Sequence, residues 1–467
     1  MVVKTTMSYI EIAKLIADFE KRISVLETTV VSLKRENADL KERLAKYENP
    51  KNSGNSSVPP SQDPNRKTKS LRKKSNKKIG GQKGHKGHQL KMVNNPDKII
   101  FHDINDCTCC GEKLISEGEI KSKQIFDLPE IKIHVIEHRT VKKTCANCGL
   151  ENQSDFPKGL VQAAQYGNKI KALCVYLQNY QMLPYARCSE FIADLTGHHL
   201  SQGSLSNFQS KCYDNLEDYE LRIKKLLLQS PVLHADETGV RANGKQNWIH
   251  VLSNNQISFF GHHIKRGKQA IDDFNIIPLY NGNLVHDRFS SYFSYHCKHS
   301  LCNAHILREL IYIEEVSNDS SWAKQIKQLF ITANKKKKKG KKYTAKYYAR
   351  IIYKYENLLR PIIENYNDKY TKTKEQRLAF ALNKHKDLFL KFIKQQEVPF
   401  DNNQAERDLR MIKVKQKVSG CFKSDRHIKY FARIRGYITT IKKNQQNVLE
   451  NIQNAFGKNA FIPVLGE

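Results

Sequence analysis

Residues 231–239, PVLHADETG, decide how the rest of the chain is read. They form a short strand that ends in Asp236. QNWIHVLSN (246–254) and QISFFGHH (256–263) read as the next two strands. GNLVHDRFSSY (282–292) is a further strand, ending at Asp287. Two strands therefore each deliver a carboxylate at or near the C-terminal end. Adjacent strands lie about 4.8 Å apart, so the two acids can share one site. Two like charges that close are costly unless a divalent cation sits between them. Oxygen ligands of this kind suit Mg²⁺ or Mn²⁺. The chemistry that uses such a pair is phosphodiester cleavage or transfer.

A third acid normally completes the cage. DNNQAERDLR (401–410) starts a helix, with an Asp or Asn cap, and carries Glu406 in its first turns and Arg410 one turn later. Taken alone, Glu406 is an ordinary acid on a solvated helix face.

Composition limits the partners. The chain has 467 residues, enough for several domains, and a formal net charge of +32. That excess favours a polyanion, nucleic acid first and an anionic membrane surface second. No apolar run approaches the roughly 20 residues that span a bilayer, and the N-terminus lacks the pattern of a secretory signal. The eleven cysteines, several of them single in apolar runs, point to a reducing, cytoplasmic setting.

Outward from the acids, the chain divides into segments. Over residues 8–48, Ile12, Phe19, Leu26, Leu33, Leu40 and Tyr47 recur every seven positions, with Ile16, Ile23, Val30, Asn37 and Leu44 between them. This predicts a parallel two-stranded coiled coil, the alternative being a helix packed on its own protein. Residues 49–98 read as a basic linker that includes Lys83 and Lys86, suited to phosphate contact or merely solubilising. Residues 99–156 hold CTCCG (107–111) and CANCG (145–149), with an alternating, strand-like stretch (123–144) between them. Cys107, Cys110, Cys145 and Cys148 have the spacing of a four-thiolate structural zinc site, a small zinc ribbon. Cys109 is an alternative ligand to Cys110. Residues 157–228 are helical, and 186–212 suit either a helix-turn-helix or plain packing. Residues 311–398 read as a Lys-rich helical insertion with an exposed loop at NKKKKKGKKYTAKYY (334–348). Residues 426–467 are a C-terminal helix and tail.

In this order, NSSVPPS, GGQKGHKGH, the two knuckles, HADETG, HDRFSSY, LCNAHILREL and DNNQAERDLRMIKVKQKVSGCF resemble the transposases of the insertion sequence 66 family. The resemblance implies an α/β fold: a ribonuclease-H-like core over 229–425 whose catalytic triad falls on Asp236, Asp287 and Glu406. It also implies a signature falling on Cys302, His305 and Arg308, read here as packing or orienting groups, with a second zinc site as the alternative. The implied activity is cleavage of transposon ends and their joining to target DNA. A DNA-binding regulator without chemistry, or a nuclease that never joins, are the rivals. Arg410, Lys413 and Lys417 would neutralise phosphates, although Lys413, Lys415 and Lys417 stand where such proteins often carry arginine. Partners would be terminal repeats, target DNA, a second copy of the chain and accessory proteins of the same element.

Overall fold

The computed structural model describes residues 9–48, 51–52, 54–56, 63, 84, 86, 89–115, 119–317, 320–340, 343–366 and 372–464. The chain divides into one unit of residues 1–66, 155–191 and 199–467 and another of residues 67–154 and 192–198.

The smaller unit is built around turns. Strand β1 (Lys142–Thr144) pairs antiparallel with β2 (Glu151–Gln153) around the second knuckle, and an Asp106–Lys113 bridge flanks the first. The alternating stretch before β1 finds no partner strand among the described residues. Ile125, Leu128 and Val135 are 79–93% exposed. Alternation makes a sheet only where one face has something to bury against, and among the described residues nothing covers these side chains.

The larger unit begins with α1 (Tyr9–Glu48). Its heptad residues Ile16, Phe19, Ile23, Leu26, Leu33 and Leu40 are 50–62% exposed, so the apolar stripe is uncovered along the helix. Residues 51–52 and 54–56 depart from the free linker expected of them. Asn55 is buried, and its amide donates to Glu315 Oε2 at 2.6 Å.

Four helices follow: α2 (Asn168–Asn179), α3 (Tyr185–Thr196), α4 (Gln202–Asn215) and α5 (Glu217–Leu228). Gly197, with φ +69°, makes the break before α4, and Ser201 caps that helix by accepting from Ser204 N at 3.0 Å. Leu205, Phe208 and Cys212 of α4 are buried, while Gln202, Asn207 and Lys211 remain exposed.

The sheet has strands β3 (Val232–Ala242), β4 (Lys245–Ser253), β5 (Ser258–His263), β6 (Asn283–His286) and β7 (Lys298–Leu301), with helix α6 (Lys268–Asp273) between β5 and β6. The strand order is β5-β4-β3-β6-β7; the first three are antiparallel, and β6 and β7 run parallel to β3. Strand β3 corrects the sequence reading, because it continues past Asp236 to Ala242. Asn243 and Gly244, both at positive φ, form a tight hairpin that keeps it paired to β4 up to Ala242↔Lys245. Its pairing to β6, however, stops at His234↔Val285. Asp236 is mid-strand on one side and beyond the last pair on the other.

Helices α7 (Asn303–Val316), α8 (Ser321–Lys338), α9 (Ala345–Glu364), α10 (Lys374–Lys384), α11 (Lys386–Phe389) and α12 (Lys391–Lys394) enclose a separate core that includes Trp322, Phe330, Tyr355 and Phe389. The lysine run is only partly the exposed loop expected: α8 continues through Lys338, and the exposed turn begins at Lys339 and Gly340. Lys337 turns inward, and its ammonium donates to the carbonyls of Phe392, Gln395 and Val398 at 2.6–3.1 Å. Three carbonyls left open after a short helix make a better partner than water for one long cation.

Helix α13 (Asn403–Ser419) lies on β3 and β4, α14 (Asp425–Lys443) on β5, and α15 (Val448–Phe456) on α2. Leu409 and Ile412 of α13 join Val240, Ile249, Val251 and Phe260 of the sheet and Phe431 of α14 in one core. Asp408 ties the layers by accepting from Ser258 Oγ and Lys443 Nζ.

Candidate active site

Two neighbouring parallel strands position the first two acids. The last β3–β6 pair is His234↔Val285, and two residues further on each chain stand Asp236 and Asp287. Asp287 Oδ1 accepts from Phe289 N at 2.9 Å, which turns the chain away just after β6. Behind it His286 is fully buried. Its Nε2 meets His299 Nδ1 at 3.0 Å, and His299 Nε2 meets the carbonyl of Tyr295 at 3.0 Å. Burial, with His299 beside it, lowers the His286 pKa to about 3, so the ring stays neutral.

The amides around Glu406 explain why DNNQAER is so rich in them. Asn402 occupies the cap position of α13, but its side chain does not cap the helix. Oδ1 meets His234 Nδ1 at 2.9 Å, and Nδ2 donates to the carbonyl of Ala235 at 2.7 Å. Its backbone N–H donates to Cys302 Sγ at 3.1 Å. Asn303 in turn donates through Nδ2 to the carbonyls of Phe389 and Phe400. These two buried amides staple the start of α13 to the residue preceding Asp236 and to the start of α7. Glu406 is thereby carried in the first turn of α13 to face the strand ends.

The electrostatics tie the three acids together. The Asp236 carboxyl is pushed well above its usual range, first by burial, then by Glu237 and Asp287, with Glu406 adding to the effect. Negative charge is thus gathered from β3, the turn after β6 and α13.

Glu237 was not singled out from the sequence. Strand parity points it to the opposite face from Asp236. There its buried carboxylate accepts from Arg266 Nε at 2.8 Å and from the Tyr292 hydroxyl at 2.6 Å. Arg266 also lies over the Phe289 ring at 4.2 Å. Burial raises the Glu237 pKa, opposed by Tyr292 and Arg266. Its signal was the second acid of HADETG, legible only through alternation.

Cys302 immediately precedes α7, and His305 and Arg308 follow on its first turns. Arg308 Nη2 lies 3.8 Å from Glu406 Oε2, and His305 Nδ1 lies 4.0 Å from Glu406 Oε1. Burial lowers the His305 pKa, with Glu406 opposing. One donor atom from each of Cys302, His305 and Glu406 lies within 4.8 Å of the other two, so these side chains could hold a metal ion.

The basic residues separate. Arg410, Lys417 and Lys86 are exposed, and Lys83 lies outside the described residues. Lys413 is half-buried and donates to the carbonyl of Gly239 at 2.8 Å. Lys415 turns inward toward the carbonyls of Gln178 and Leu183, and burial lowers its pKa to about 8.

In the smaller unit both knuckles form alike. Gly111 N donates to the carbonyl of Cys107 and Gly149 N to that of Cys145, each at 2.9 Å, with both glycines at positive φ. The Cys107 thiol pKa is lowered by N–H groups of Cys110 and Cys109, and that of Cys145 by those of Cys148 and Asn147. Cys110 therefore corresponds to Cys148, and Cys109 to Asn147. N–H groups aimed at sulfur favour thiolate, the form that binds zinc.

Comparison with known proteins fits these observations. Residues 105–149 match the zinc-finger binding domain of transposase IS66, which supports a Zn²⁺ site here. Residues 8–91 match a family of unknown function. No curated protein matches the chain. Residues 163–430, more than half of the chain and the stretch that carries all three acids, match the Transposase IS66 family, and the chain belongs to that family.

Proposed function

We propose that Asp236, Asp287 and Glu406 are the catalytic acids of a DNA transposase that cuts transposon ends and joins them to target DNA. The observation that carries this reading is that Asp287 and Glu406, from two other elements, both act on the Asp236 carboxyl, with Asp236 and Asp287 each two residues beyond the last pair of the parallel neighbours β3 and β6. A mixed sheet with its central strand bearing the first acid, and a covering helix bearing the third, supports a ribonuclease-H-like core.

The donor set fits magnesium or manganese, since half-buried carboxylates gathered at one place are hard oxygen ligands short of a cation. Asp236, Asp287 and Glu406 would hold such ions, which when bound activate the attacking hydroxyl and neutralise charge on the reacting phosphate. The protein does the rest. Asn402 and Asn303 set where α13 begins and so where Glu406 points. Arg308 faces the Glu406 carboxylate from the side of α7 at 3.8 Å. Arg410 and Lys417 offer exposed charge to phosphates along α13, with Lys413 contributing its uncommitted protons. Lys51, Arg288, Lys374 and Arg377 line a cavity of about 560 Å³ that begins at the neighbour of Asp287 and suits a nucleic-acid backbone. Helix α1 would pair two protomers so that two ends are held together, and the knuckle unit and basic arm would bind the terminal repeats.

The test uses purified protein, Mg²⁺ and a plasmid carrying the ends that flank the gene. Asp236→Asn should reduce cleavage by at least about 10³-fold while leaving affinity for the ends near wild type. Full cleavage by that variant refutes the assignment. Scoring joined products as well as cuts separates a transposase from a nuclease.

A further inference from the structure

The junction of α7 and α13 places two donors that the proposed catalytic reaction does not need, Cys302 and His305, beside one that it does, Glu406. Cys302 Sγ is a soft ligand, His305 a borderline one, and Glu406 a hard one, and their donor atoms all lie within 4.8 Å of one another. Two of these atoms, His305 Nδ1 and Glu406 Oε1, are buried and have no hydrogen-bond partner. They face each other across 4.0 Å, too far for a hydrogen bond. Buried polar atoms without partners are uncommon, and each calls for an explanation.

A cation supplies one. Zinc with ligand distances of about 2.0–2.3 Å and tetrahedral angles separates its ligand atoms by roughly 3.3–3.8 Å. The observed spacing needs only a small contraction. A thiol, an imidazole and a carboxylate are a zinc-type donor set; magnesium would not choose sulfur. Three protein ligands also leave a fourth position open.

We propose that Cys302, His305 and Glu406 form a second binding site for a thiophilic divalent cation of the zinc class, separate from the knuckle cysteines. On binding, the Cys302 thiol loses its proton to solvent, and its sulfur, His305 Nδ1 and Glu406 Oε1 each donate a lone pair. Burial raises the free thiol's pKa to about 12, but a coordinated thiol is deprotonated by the ion itself. The Asn402 N–H already aimed at Sγ supports the resulting thiolate. Because Glu406 is shared, the cation fixes the third acid of the proposed triad to α7. That consequence rests on the catalytic reading; the site itself does not.

The full-length protein is loaded with Zn²⁺, dialysed, and its bound metal counted. The expected result is about two zinc ions per chain for the wild type, one of them in the knuckles, and about one for Cys302→Ser and for Glu406→Gln. Co²⁺ replacing Zn²⁺ should add a thiolate-to-cobalt absorption band in the wild type that Cys302→Ser lacks. Circular dichroism checks that the variants fold, and His305→Asn replaces whichever does not. Asp236→Asn should keep both zinc ions while losing cleavage, so the site and the triad can fail independently. Equal zinc content in the wild type and a folded Cys302→Ser variant overturns the proposal. So does an equal cobalt spectrum.

Discussion

The acid-bearing part of the chain, from α2 to α15, and the N-terminal elements solve the problem of burial in opposite ways. In the former, several polar groups that leave water find partners within the chain: Asn402 on Ala235, Lys337 on three carbonyls, and Asp408 on Ser258 and Lys443. In α1 and the knuckle unit, large apolar side chains such as Leu26 and Ile125 remain open to water. A chain does not keep such surfaces for stability, because each buried apolar side chain is worth about 1.5–3 kcal/mol. The difference teaches that the acid-bearing region buries its apolar core within one chain, whereas α1 and the knuckle unit keep apolar surface open; under the proposed function a second copy would cover the stripe of α1, and zinc and DNA would complete the knuckles.

Removing zinc is the strongest way to test that division. Structural zinc is worth about 10–16 kcal/mol of folding in small metal domains. Chelation should therefore abolish the knuckle unit's structure and its binding of the ends, and leave the melting transition of the α/β core in place. Unchanged end binding after verified zinc loss would count against the assigned role. A smaller but still complete change is expected in α1. Leu26→Lys with Leu33→Lys places charges in the exposed stripe and should convert a dimer to a monomer by light scattering, again without moving the core's melting point. A wild type that is already monomeric would show that the stripe is covered in another way.

The legible part of the fold followed the same division. Heptads and knuckle glycines are local patterns, and Asp236, Asp287 and Glu406 stand out as candidates because each sits in a short stretch with a strand or helix signal. What escaped the sequence reading was held by distance. Asn402 reaches residues 167 and 168 positions away, and Asn303 one 86 positions away, so no window of sequence displays the tie. Lys337 looked like one of five equivalent lysines, and only the end of α12 makes it different. Asn243–Gly244 is a local turn signal, and it sets the hairpin that carries β3 past Asp236. The alternation over 123–144 was legible and still misleading, because a pattern states what a segment can bury and not whether a partner exists.

Asn402 gives the next test on the core's side. Asn402→Ala leaves the Ala235 carbonyl and the His234 ring nitrogen without their partner in a buried position. The expected cost is roughly 3 kcal/mol in denaturant unfolding, with cleavage falling more than end binding because Glu406 loses its anchor. A loss below about 0.5 kcal/mol would mean that α13 is placed by its apolar face alone, through Leu409 and Ile412.

The smallest effect follows from the histidines that this self-sufficient core keeps neutral. Burial is the first cause in each case: His286 is lowered to about 3, and His250 and His262 to about 4. The unfolded chain binds a proton at each of these sites near pH 6.5, while the folded chain does not. Between those values the unfolded state holds more protons, so stability rises with pH and is lost as pH falls from about 6.5 toward 3–4. At pH 5 a single fully buried histidine of this kind costs on the order of 1–2 kcal/mol. Urea midpoints measured from pH 7 down to pH 4.5 should therefore fall for the wild type. His250→Phe, chosen because it lies on β4 away from the acids in sequence and already packs beside Phe274, should show a shallower fall. The α1 stripe contains no histidine, so dimer mass should change little over the same range. A wild-type midpoint that stays flat to pH 4.5 would show that these rings find water or a counter-charge on protonation, and the sealed character of the core would have to be given up.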